Sequence, residues 1–412
     1  MMKTRLSRLL SIFIVLLLLV SVVACSNDKE PEPTVEPTPT ETAEPKETEK
    51  PKEEETLAPT EDVDPIVEYE GGLKDVYEDH GLIAGTCLAP AMIGSEKYTS
   101  IILENFNTIT LENHMKPEAI LDHKASIEAG EIVVKFPKDT IDLLDFAKEN
   151  NLSVRGHTIV WHSQTPDWIF FEDFDTTKGK VDRDTMLDRM EKYIKRTFEI
   201  LKELDYIDMF YAYDVVNEAL LDNGSLRDSH WKSTIGDDYI WYAFYYADKY
   251  APDHIKLYYN DFNEQFKTQA YIKLAKSLVD DDGEFLIDGL GCQGHLYTKD
   301  SIDSYISMLK SFAELGLDVQ ITELDISLGT WQQILKATDD NLKDQGKYYY
   351  ELISRIIAEN EAGNTNVSGI TFWGFADQLS WRRDRSPLLF DAKLNPKYSY
   401  HGAMLNKDHA GY

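Results

Sequence analysis

Short runs of β-branched and other apolar residues alternate with longer amphipathic stretches along most of this chain. The apolar runs predict strands over residues 82–87, 108–111, 154–160, 211–216, 255–259, 287–292, 318–322 and 369–373. Between them, apolar positions recur at helical spacing and predict helices over residues 96–105, 140–150, 184–204, 238–250, 264–279, 301–315 and 344–361. Eight strand–helix alternations within residues 68–412 predict an α/β fold of the (β/α)8 TIM barrel type. Periodicity alone also permits an open, doubly wound sheet.

The pattern breaks at the N-terminus. Lys3, Arg5 and Arg8 precede an apolar run over residues 9–23, which ends in Val22-Val23-Ala24-Cys25. That run falls short of the roughly 20 residues a membrane-spanning helix needs, and it reads as an export signal. Its approach to Cys25 resembles the bacterial lipoprotein signal, in which the peptide is cut before the cysteine and the cysteine carries lipid. The resemblance implies a signal peptide over residues 1–24, a lipidated Cys25, and a chain held on the extracellular face of the cell membrane. Residues 25–67 shift to Glu, Pro, Thr and Lys, as in PEPTVEPTPTETAEPKETEKPKEEE. Such a stretch buries too little apolar surface to offset its ordering entropy, and its prolines and like charges predict a disordered, extended spacer.

Charge narrows the partners. Of the formal net charge of −31, about −10 lies between Ser26 and Pro65, where fourteen acidic residues meet four basic ones. The remaining body is acidic too, which argues against nucleic acid. Cys87 and Cys292 stand far apart, show no metal-site spacing, and are expected as buried free thiols. No metal or cofactor is implied.

The chemistry gathers where the strands end. Glu112-Asn113, His157, Trp161-His162, Asn217-Glu218, Asn260-Asp261, Gln293, His295, Glu323 and Trp373 all fall at or just beyond the C-terminal ends of predicted strands. In a TIM barrel those ends converge on one cleft. Glu218 in YAYDVVNEAL and Glu323 in LDVQITELDI follow the fourth and seventh predicted strands. A carboxylate beside a buried strand is costly to desolvate unless it faces a cleft or a partner. Two carboxylates flanking one bond are what glycoside cleavage requires, one protonated to assist the leaving oxygen and one ionised.

FNTITLENHMK, VRGHTIVWHSQTPDW, DVVNEAL with LRDSHW, LYYNDFN, GLGCQGH, VQITELDI, TFWGFAD and PLLFD follow one another in this chain. In that order they resemble the family 10 glycoside hydrolases, the xylanase family, over nearly all of the body. The resemblance implies a retaining endo-β-1,4-xylanase that hydrolyses internal bonds of xylan through a covalent glycosyl-enzyme intermediate. Glu218 then resembles the acid/base and Glu323 the nucleophile. Asn217 resembles the residue that binds the 2-hydroxyl of the sugar being cleaved, while His295, backed by Asp325, donates to the nucleophile. Gln293, His157 and Trp161 resemble residues lining the same sugar, and Glu112, Asn113 and Lys116 those holding the next one on the non-reducing side. Trp373 and Trp381 look like aromatic walls. The expected partners are xylan and xylo-oligosaccharides bound by a monomeric, lipid-anchored chain.

Two departures from the family pattern stand out. His114 and Pro117 replace the glutamate and tryptophan of a common ENEMKW, beside the distal sugar position. The basic stretch Trp381-Arg382-Arg383-Asp384-Arg385 interrupts an acidic protein; it reads as a solvated loop, and the sharper alternative is a contact with uronic substituents on xylan.

Overall fold

The structure, a computed structural model, describes residues 71–412. The expected signal, Cys25 and the spacer lie outside the described residues.

Nine strands run in chain order: β1 (Ile83–Leu88), β2 (Thr108–Leu111), β3 (Ser153–Trp161), β4 (Phe210–Asn217), β5 (Lys256–Asp261), β6 (Gly289–Cys292), β7 (His295–Tyr297), β8 (Asp318–Ser327) and β9 (Val367–Phe372). All ladders between them are parallel. β1 is hydrogen-bonded to β2 on one side and β9 on the other, and β6 pairs directly with β8, so eight strands close a ring. That closure is a (β/α)8 barrel and excludes the open sheet. The three residues of β7 stand outside the ring. They prolong β6 past Gln293-Gly294 and pair with the far half of β8, His295 opposite Asp325.

This pairing corrects the strand predicted over residues 318–322. β8 continues to Ser327 because β7 satisfies the backbone of its second half. Glu323 therefore sits within the strand, not after it. The predicted helix over residues 264–279 is likewise broken, into a 3-10 turn at Glu264–Phe266 and a helix at Thr268–Ser277.

The helices cover the barrel with the apolar stripes their spacing predicts. In Arg183–Glu203, Asp182 caps the first turn by accepting from the Thr185 amide at 2.8 Å, and Met186, Met190, Ile194, Phe198 and Leu201 are buried along one face. Cys87 and Cys292 are buried and unbridged, and burial pushes both thiols well above their ordinary range.

Inside the barrel, aromatic side chains and small residues interlock. A Cβ at Gly289 would lie 2.3 Å from the Tyr258 ring, so glycine is required where that ring crosses to the next strand. The Arg155 guanidinium sits over Tyr258, 4.2 Å from the ring centre, and Nη2 meets Asp214 Oδ1 at 2.5 Å. Gln320 Oε1 accepts from Arg155 Nη1 at 2.8 Å. Both members of the ion pair are 1% exposed. Burial works against Asp214, but Arg155 and His157 together hold its carboxyl below the usual range.

Removing one member of such a pair strands the other's charge in the core. Asp214→Ala should cost roughly 3–5 kcal/mol of stability, read by urea unfolding.

Candidate active site

The C-terminal ends of the strands open on a cleft of about 890 Å³. Its lining includes Glu112, Asn113, Lys116, His157, Trp161, Asn217, Glu218, Gln293, His295, Glu323, Trp373 and Trp381. All twelve residues expected to catalyse or bind thus meet in one place, and Asp325 stands directly behind His295.

Glu218 follows the last residue of β4 with φ of +55°, in the left-handed region that non-glycine residues seldom occupy. This turn aims the carboxyl into the cleft. Trp161 Nε1 donates to its Oε2 at 2.9 Å, and Gln293 Nε2 donates to its Oε1 at 3.0 Å. The His162 ring nitrogen stands 3.9 Å away, and burial holds that imidazole below its ordinary pKa despite the carboxylate beside it. A neutral His162 places no fixed cation against Glu218.

Glu323 meets a different environment. It is 5% exposed, Asn260 Nδ2 donates to its Oε1 at 2.8 Å, and His295 Nε2 lies 3.3 Å from its Oε2. Burial alone would raise its pKa. The His295 hydrogen bond, with the charges of His157, His295 and Lys116, outweighs that and keeps the carboxyl below the usual range. The same Asn260 amide nitrogen lies 3.0 Å from the Asn217 side chain, so one strand-end amide ties the two catalytic neighbourhoods together.

His295 owes its charge to the residues behind it. Its Nδ1 lies 3.1 Å from Asp325 Oδ2. Burial would lower the imidazole, yet Asp325 and Glu323 together push it up to about 10. Asp325 is fully buried; it accepts from Arg382 Nη1 at 2.7 Å and from Trp381 Nε1 at 3.0 Å. Burial raises this carboxyl as well, and His295 and Arg382 pull it below its ordinary value. Gly294, at φ of +72°, makes the turn that sends Gln293 toward Glu218 and His295 toward Glu323.

The distal part of the cleft is held by Lys116. Its ammonium donates to Asn113 Oδ1 and Gln164 Oε1, both at 2.9 Å, and lies 4.8 Å from the centre of the Trp161 ring. Burial lowers the pKa of Lys116 and raises that of Glu112 beside it. Trp373 meets His157 edge to face at 5.4 Å, whereas Trp381 leaves 60% of its surface open at the rim.

One expectation needs correcting. Arg382 does not reach out to substrate substituents, because its guanidinium is buried and committed to Asp325 and to the Tyr297 hydroxyl, at 2.6 Å. Arg383 is exposed. His114 and Pro117 stand next in the chain to the lining residues Asn113 and Lys116. Pro117 opens the short helix Pro117–Ile120, where a fixed φ suits the first helical position, and His114 gives its carbonyl to Thr140 at 2.6 Å.

Sequence reasoning gave no individual role to Asn260, Gln164, Phe262, Tyr297 or Trp331, of which all but Asn260 line the cleft. Asn260 is a strand-end polar residue and was visible as such. Gln164, Phe262 and Trp331 come from loops, where no periodicity marks an inward side chain, and Tyr297 ends the three-residue β7, a strand too short to show an alternation.

The His295 shift has a pH signature. A folded-state pKa raised from 6.5 to about 10 contributes stability that is fully present below pH 6.5 and is lost as pH rises through 10. Urea unfolding should therefore show stability falling between these values, by up to about 1.4 kcal/mol per pH unit from this group. His295→Asn should flatten the decline.

Residues 72–405 match the family model described as glycosyl hydrolase family 10. The chain is 33% identical over 342 residues to endo-1,4-beta-xylanase B of Butyrivibrio fibrisolvens, covering 81% of this chain and 52% of that protein. It is 38% identical over 344 residues to a bifunctional endo-1,4-beta-xylanase of Ruminococcus flavefaciens, covering 81% and 34%. The chain thus spans about half and a third of the length of these two relatives. Among solved structures, it resembles the N-terminal endo-1,4-beta-D-xylanase 10B of Clostridium thermocellum, its CBM22-1 and GH10 modules complexed with xylohexaose. The TM-score is 0.73 at 34% identity, covering 81% of this chain and 67% of that one.

Proposed function

Because this chain belongs to glycosyl hydrolase family 10, we propose that it is an endo-β-1,4-xylanase that cleaves internal xylosidic bonds of xylan with retention of configuration. The observation that carries the reading is the contrast between its two glutamates. Glu323 is buried and kept ionised by Asn260 and His295, as a nucleophile must be. Glu218 faces the same cleft from β4 and is held by the neutral donors Trp161, Gln293 and Asn217, with no lysine or arginine side chain among the described residues at hydrogen-bond distance from its carboxyl.

The steps follow from these positions. Glu323 attacks the anomeric carbon while Glu218 protonates the departing glycosidic oxygen, and a covalent glycosyl-enzyme forms. Glu218, now ionised, takes a proton from water, which attacks the same carbon and releases Glu323. Asn217 lies beside the Glu218 carboxyl and against Asn260, which donates to Glu323, placed for the 2-hydroxyl, where a hydrogen bond gains strength as positive charge develops at the neighbouring carbon. Lys116, Glu112 and Asn113 read the next sugar's hydroxyls, and Trp373 and Trp381 cover its C–H faces.

The test is release of reducing sugar from xylan. Glu323→Ala should abolish turnover. Glu218→Ala should lose roughly 10²- to 10⁴-fold on xylan yet still open aryl xylobiosides with good leaving groups, and azide should restore its turnover. The azide product should be the β-glycosyl azide; the α-product would overturn the assignment, as would tight oligosaccharide binding without hydrolysis by the intact protein.

The proposal extends to location. The signal over residues 1–24 and the cysteine that follows support a lipid anchor at Cys25, with residues 25–67 holding the barrel away from the membrane on its outer face. In the producing cell, Cys25→Ser should end incorporation of labelled palmitate and shift xylanase activity from the membrane fraction to the medium; unchanged membrane retention would remove the anchor.

A further inference from the structure

Behind the acid/base lies a buried ionic cluster that the hydrolytic steps do not use. Glu218 keeps its left-handed turn although it is not glycine, a conformation that persists only where surrounding contacts impose it. Its own amide donates to the Asn260 carbonyl at 2.8 Å, and its carbonyl accepts from Arg227 Nε at 2.9 Å. The two following amides turn away from the cleft. Ala219 N and Leu220 N both donate to the Tyr259 hydroxyl at 3.1 Å, and Leu220 N also reaches Asp261 Oδ2 at 3.2 Å. Lys267 Nζ donates to the Leu220 carbonyl at 2.9 Å and to Asp261 Oδ1 at 2.7 Å, while the Tyr259 hydroxyl donates to Asp261 Oδ2.

Tyr259, Asp261 and Lys267 are at most 3% exposed, and none of them lines the cleft. Stripped of these partners, Ala219 and Leu220 would leave polar backbone groups unpaired in the interior. The turn would then relax to pair them elsewhere, and the Glu218 carboxyl would move with it. We propose that Tyr259, Asp261 and Lys267 are positioning residues for proton donation, fixing the backbone of Ala219-Leu220 so that the Glu218 carboxyl meets the glycosidic oxygen. The inference rests on the assignment of Glu218 as acid/base. Nothing in the cluster touches Glu323, so attack by the nucleophile is left intact.

That asymmetry supplies the test. For a retaining hydrolase, kcat/KM reports the first chemical step. That step needs a proton donor for xylohexaose, whereas 2,4-dinitrophenyl β-xylobioside expels its leaving group unaided. Lys267→Met and Tyr259→Phe should each lower kcat/KM on xylohexaose by roughly 10- to 100-fold, while the dinitrophenyl substrate stays within about twofold of wild type. Equal losses on both substrates, the mark of a merely structural cluster, would overturn the inference, and so would undiminished activity on xylohexaose. Tyr259→Phe deletes a single oxygen and carries the test alone should Lys267→Met not fold. A wild-type chain inert on both substrates would instead sink the xylanase reading, and the inference with it.

Discussion

An ionised carboxylate taken out of water loses hydration worth several kcal/mol, and in this barrel Asp214, Asp261, Glu323 and Asp325 are all at most 5% exposed. Each therefore dictates its surroundings. Asp214 requires Arg155 and His157, Asp261 requires Lys267, and Asp325 requires Arg382, Trp381 and His295. Only Glu323 keeps its charge while turned toward open space. Its partners divide its two oxygens, Asn260 at Oε1 and His295 at Oε2, while the residue lines the cleft.

The division of labour between the two glutamates follows from the same constraint. They share a cleft, yet cations surround one and neutral donors the other. Charge at Glu323 is supported through a relay two residues deep, from Arg382 through Asp325 to His295. Glu218 has no comparable support behind its carboxyl. What lies behind it instead grips its backbone. One carboxyl is thus set by the charges around it and the other by the grip on its backbone, the contrast on which the proposed division between nucleophile and proton donor rests.

Much of this was legible in the sequence, because TIM barrels place strand ends at the active site and apolar runs reveal where strands end. Glu218, Glu323, His295 and Gln293 could be found in that way. The extent of β8 could not, since its second half depends on pairing with β7, a non-local contact that leaves no mark in the run 318–322. Arg382 was misread for a related reason. A basic stretch in a loop looks solvated, and only the fold shows that a buried aspartate from another strand captures one of its arginines. The places of Phe262 and Trp331 in the cleft lining, both on loops, were equally hidden.

Gln293 and His295 are separated by a single glycine, and one of them touches each catalytic carboxyl. This short segment acts as a ruler. The interval between its two side chains is set by bond lengths and one backbone turn, quantities that hardly vary with temperature or with loop mobility. Glu218 and Glu323 come from strands on different sides of the ring, and thermal breathing of the barrel would otherwise let them drift independently. A gauge of fixed length between them means that the barrel can loosen at its rim without changing the spacing of the two carboxyls.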